Sequence, residues 1–138
     1  MRYVLFAAAL CGISSPAFAN EIAVSFQGVK KTSGSVVLCL WAKDDGFPNC
    51  EKGKPLKRLV VPASATSAIF DNINAGSYSV SAFHDANNNG VLDSNFLGLP
   101  LEAVGMSNNP KLMGPPRFRP TLFRVAGKTA INIRFSSM

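Results

Sequence analysis

Asp85, Asn87, Asn89, Gly90, Val91 and Asp93 fall at positions 1, 3, 5, 6, 7 and 9 of a calcium-loop spacing. In that spacing alternate residues turn side-chain oxygens inward. The glycine permits the positive φ of a sharp turn, and the seventh residue offers its backbone carbonyl. Hard cations prefer such oxygen ligands. Two of the side-chain ligands are asparagines, and Phe96 stands where an EF-hand has its bidentate glutamate. No helices are expected on either side, so the loop is not an EF-hand. Glu102 or a backbone carbonyl is the candidate to complete the shell. Calcium bound here is expected to be weak, with Kd about 0.1–1 mM. The same residues also read as a run of Asx-turns, held by side-chain bonds to the backbone without a metal.

His84, the single histidine, abuts this loop. It could serve as a metal ligand or general base. The plainer expectation is a strand-end histidine bonded to a backbone carbonyl or to Asp85. One histidine cannot build a multi-histidine zinc site. Gly105-Met106-Ser107-Asn108-Asn109 departs from G-x-S-x-G at its last position. A Ser107–His84–Asp93 hydrolase site therefore rests on availability alone, and no catalytic residue is assigned.

The loop must be held by what precedes it. Residues 77–84 alternate with period two: Tyr78, Val80 and Ala82 on one side, Ser77, Ser79 and Ser81 on the other. That is the pattern of a half-buried strand. Tyr78, two residues past Gly76, resembles a tyrosine corner, whose hydroxyl bonds the backbone a few residues upstream.

Residues 21–29 alternate as a first strand, and Ser35–Ala42 is apolar on both faces, as a central strand should be. Residues 58–62, 66–71, 121–126 and 129–135 read as further strands, with Gly127-Lys128 as a two-residue hairpin turn. Residues 85–118 contain no clear strand. They are too apolar and proline-rich to be a free tail, so one long ordered loop is expected, with a single helical turn over 109–113. The fold class is all-β: an antiparallel sandwich of about seven strands.

The run FDNINAGSYSVSAFHDANNNGVLDSNFLGLPLE, followed by GMSNN and GPPRF, resembles a family of small exported bacterial proteins, domain of unknown function 2141. The resemblance implies a Greek-key, transthyretin-like (prealbumin-like) β-sandwich acting as a non-catalytic module. The usual family form has a more acidic loop than Asn87-Asn88-Asn89.

Residues 1–19 read as a secretory signal peptide: Arg2, an apolar core, then Ala17-Phe18-Ala19 before the cut. The apolar run is too short to span a bilayer. Residues 20–138 then form a single domain, periplasmic or secreted. Cys39 and Cys50 remain in it, and an oxidising compartment favours their pairing. Trp41 is expected in the core.

The formal charge is +6, and no acid follows Glu102, whereas Lys111, Arg117, Arg119, Arg124, Lys128 and Arg134 do. Such a basic third could contact an anionic glycan, a lipid or an acidic envelope protein, or be an ordinary solvated face. No motif suggests nucleic acid. The sequence thus supports an exported, non-catalytic binding or accessory module with calcium as a candidate cofactor. Its alternatives are an anionic glycan or lipid binder acting through the basic residues, and a small hydrolase using His84.

Overall fold

The computed structural model describes residues 12, 20–95 and 97–137. The expected signal segment, Gly12 apart, lies outside the described residues, as does Phe96. Among these residues eight strands form: β1 (Asn20–Gln27), β2 (Ser35–Trp41), β3 (Lys57–Pro62), β4 (Ser67–Ile73), β5 (Gly76–Asp85), β6 (Val104–Met106), β7 (Phe123–Val125) and β8 (Lys128–Arg134). One sheet has the order β4-β1-β8. The other runs β3-β2-β5-β6, with β7 also paired to β5. The protein is all-β, as its alternating strands and scarcity of helical patterning require.

The main core lies between the sheets. Ile22, Val24 and Phe26 of β1 face Val36, Leu38 and Leu40 of β2 and Tyr78, Val80 and Ala82 of β5. The period-two alternation of β1 and β8 survives intact: Ile131, Ile133 and Phe135 turn inward, and Asn132 and Arg134 stay exposed. The tyrosine corner also forms, with the Tyr78 hydroxyl donating to the Asn74 carbonyl at 2.6 Å.

Four expectations need correction. First, the sheets are not wholly antiparallel, because β8 runs parallel to β1, from Glu21↔Lys128 to Gln27↔Arg134. The reason is a clasp at the start of β1. Asn20 Oδ1 accepts the Gly127 N–H at 2.7 Å, and its Nδ2 donates to the Ile73 carbonyl at 3.0 Å. β8 therefore departs from the end at which β1 begins. Second, Gly127-Lys128 is not a hairpin. β7 pairs β5 in one sheet and β8 pairs β1 in the other, so the turn crosses between sheets. Gly127 does take the positive φ (80°) expected of it.

Third, β5 is buried on both faces, not one. Ser79 and Ser81 are 0% and 3% exposed. Ser79 Oγ shares a 2.6 Å hydrogen bond with Thr121 Oγ1, and Trp41 Nε1–H donates to Ser81 Oγ at 2.8 Å. A second, smaller core of Val37, Cys39, Trp41 and Phe83 fills this outer face, with Phe47, Val104 and Phe118 packed on it. Fourth, the segment 85–118 is not strandless. It holds β6 and an isolated bridge from Ser94 to Pro100. The single helical turn forms at Arg119–Thr121 rather than 109–113. β6 can lie against β8 because Gly105 lacks a side chain; a Cβ there would sit 2.5 Å from Ile133 Cγ2.

Asn109 closes part of the free edge of β8. Its Oδ1 accepts the Arg134 N–H at 2.7 Å, and its Nδ2 donates to the Asn132 carbonyl at 3.0 Å. Cys39 and Cys50 form a disulfide. Among the described residues, no helix is long and apolar enough to cross a membrane.

Candidate functional site: a polar loop beside an apolar cleft

β5 delivers Asp85 to the top of the sheet, where it is 3% exposed. Its carboxylate accepts the Asn89 N–H at 3.2 Å on one oxygen and the Gly90 N–H at 2.8 Å on the other. Asn87 and Asn89 both donate side-chain N–H groups to the Asp93 carboxylate, each at 2.8 Å. Asn89 Oδ1 in turn accepts the Val91 N–H at 3.1 Å. The spacing read in the sequence therefore does bring Asp85, Asn87, Asn89 and Asp93 around one turn. Gly90 takes the positive φ (81°) that the turn requires.

Glu102 does not sit inside this ring. One of its oxygens accepts the Ala86 N–H at 2.8 Å and the other the Asp93 N–H at 3.0 Å, so it ties the two ends of the loop together. Neighbours brace the rest: Ser35 Oγ donates to Asn88 Oδ1 at 2.6 Å, and Arg58 Nη2 donates to the Gly90 carbonyl at 2.8 Å. Among the described residues, no three acidic, histidine or cysteine side chains gather tightly enough to hold an ion by themselves. A calcium ion would draw on two carboxylates, two amide oxygens and the Val91 carbonyl. These oxygens are of the kind a hard cation takes, but both amides turn Nδ2 toward Asp93 and Asn89 Oδ1 is held by the Val91 N–H, so each amide would have to give up its present bonds to offer Oδ1.

His84 is buried, and its Nε2 lies 2.7 Å from the Ser33 carbonyl, to which it can only donate. This is the strand-end role expected of it. Ser107 is fully buried elsewhere: its Oγ donates to the Thr121 carbonyl at 2.6 Å and accepts the Val80 N–H at 3.0 Å. His84, Ser107 and Asp93 share no hydrogen bond with one another.

The basic residues are dispersed. Arg117 and Arg119 lie just before β7, Arg124 is on β7, and Lys128 and Arg134 occupy opposite ends of β8, roughly 20 Å apart at strand rise. Lys128 pairs with Glu21 at 4.0 Å, an exposed contact.

Sequence reasoning missed a cleft of about 590 Å3 beside the polar loop. Its floor is β5 and β6, with Phe83, Val104 and Met106. Leu99-Pro100 form one wall, and Leu112 and Pro115 the other. Among the described residues no charged side chain lines it. The one polar side chain among them, Ser81, already uses its hydroxyl on Trp41 and, at 3.1 Å, on the Pro48 carbonyl. The walls keep large apolar side chains at the surface: Leu99 is 47% exposed, and nearby Leu97 and Leu101 are 68% and 67%. The signal for this was present in Leu97, Leu99 and Leu101, which alternate in a loop otherwise read only for its polar end.

Among curated proteins and among solved structures, nothing matches the chain. A family model does match, over residues 24–133, which spans β1 to β8 and contains both the polar loop and the cleft. The chain belongs to that family, DUF2141, described as uncharacterized protein conserved in bacteria.

Proposed function

We propose that this protein is an exported, non-catalytic binding module of the bacterial cell envelope, with the cleft over β5 and β6 as its ligand site. The observation that carries the reading is the cleft itself. Its volume of about 590 Å3 lies within the range of small-molecule sites, roughly 300–1,000 Å3. It is apolar, with a wall that leaves leucines in water where a packed core would have taken them in. The Cys39–Cys50 disulfide agrees with an oxidising compartment. The groups that hydrolysis would need are each tied to separate partners, which favours binding over chemistry.

Calcium is the structural cofactor we assign to the loop at Asp85, Asn87, Asn89, Val91 and Asp93. When bound it would supply positive charge between Asp85 and Asp93 and stiffen the start of the cleft wall, which begins at Leu92. The cleft reading is tested by titrating the protein with a neutral solvatochromic dye. Saturable one-to-one binding is expected, weakened at least about tenfold by Leu99→Asp, which sets a carboxylate on the wall. Non-saturable binding, or binding indifferent to Leu99→Asp, would overturn it.

A further inference from the structure

A second hollow of about 390 Å3 adjoins the cleft and shares Val104, Gly105, Met106 and Leu112 with it. Its character is different. Lys111 and Arg134 line it, and among the described residues no acidic side chain does. Both cations are exposed, and the sole ion pair among the described residues is the distant Lys128–Glu21 contact. Asn109, also in this lining, already has its amide engaged on β8. The continuous surface is therefore apolar over most of its length and cationic, without a counter-charge, at one end.

From this juxtaposition we infer that the ligand is a single-chain anionic amphiphile of the fatty-carboxylate kind. Its alkyl chain lies in the cleft and its head group meets Lys111 and Arg134. The inference rests on the cleft reading above and specifies its ligand class. Charge and polarity argue together. An anionic glycan has no apolar chain to displace water from Phe83, Leu99 and Met106. A neutral hydrocarbon leaves two cations without a partner. A carboxylate head can accept a forked pair of hydrogen bonds from Arg134 and a point contact from Lys111.

The test is calorimetric titration of the oxidised protein with dodecanoate and decanoate below their micelle concentrations and with neutral dodecanol below its solubility limit. Dodecanoate should bind one-to-one. Each methylene removed should weaken binding about fourfold. Dodecanol should bind about tenfold more weakly, the scale of two exposed ion pairs. The double variant Lys111→Gln, Arg134→Gln, changed only at exposed positions, should lower dodecanoate to the dodecanol level and leave dodecanol unchanged. Equal binding of dodecanoate and dodecanol would leave the cleft reading standing and overturn the head-group assignment. Absence of binding by either would overturn both. Binding to anionic phospholipid vesicles without binding to monomeric dodecanoate would overturn the inference in favour of a membrane surface.

Discussion

Two segments cover the outer face of β2 and β5, and they do so in opposite ways. Residues 42–53 are fixed covalently at Cys50 and turn their apolar content inward: Phe47 packs edge-on against Trp41, with ring centroids 5.7 Å apart, and against Phe118 at 5.4 Å. Residues 86–103 are fixed by carboxylates at Asp85, Asp93 and Glu102, and turn their leucines outward. The two face each other across a hollow of about 270 Å3. Only the first makes a core. A segment whose polar groups form the scaffold and whose apolar groups are left over is arranged to meet something apolar. Under the proposed function, stability and binding therefore fall to different loops on one sheet.

That division can be broken by experiment. The largest effect should come from the first segment. Replacing both cysteines by alanine should cost about 3 kcal/mol in denaturant unfolding, the scale of a short disulfide loop, while amide-exchange protection at Asn89 and Gly90 persists. Protection lost there as well would mean that the two segments are one cooperative unit. Next, Glu102→Gln should cost about 2 kcal/mol, since it weakens a charge-assisted tie to the Ala86 and Asp93 N–H groups. It should also weaken dye binding in the cleft. Unchanged dye affinity would separate loop and cleft.

Calcium should act more gently. At about ten times its Kd it stabilises by about 1.4 kcal/mol, raising Tm by about 5 °C, and Asp93→Ala should abolish the rise. Equal midpoints in calcium and chelator would reduce the loop to its Asx-turns. The smallest stability effect should be Leu99→Ser, within about 0.5 kcal/mol because the side chain is already in water. Dye binding should nevertheless fall severalfold. A large destabilisation would show that Leu99 belongs to a core after all.

What was legible in the sequence was whatever local periodicity controls. The alternation in β1 and β8, the apolar run of β2, the Gly76–Tyr78 corner and the turn at Gly90 are decided by near neighbours. What was not legible depends on remote partners. Ser79 and Ser81 looked solvent-facing until Thr121, Trp41 and Pro48 arrived from elsewhere in the chain. The parallel course of β8 hangs on Asn20, which is 107 residues from Gly127. β6, three residues long, is too short for any period to declare it. The ring of Asp85, Asn87, Asn89 and Asp93 was readable because one turn builds it, whereas the cleft exists only where the separate stretches around Pro48, Phe83, Leu99, Met106 and Leu112 meet.

Asn109 has a consequence for how copies of this protein meet. A strand at the edge of a sheet offers its free N–H and C=O groups to any other extended chain, which is how soluble β-proteins become fibres. On β8 the Arg134 N–H and the Asn132 carbonyl, two residues apart on one side of the strand, are both taken by a single side-chain amide. An amide carries the same donor and acceptor as a peptide group, so Asn109 imitates one link of a neighbouring strand and ends the ladder there. The sheet is finished from within the chain, and a second molecule finds no vacant rung at that place to continue it.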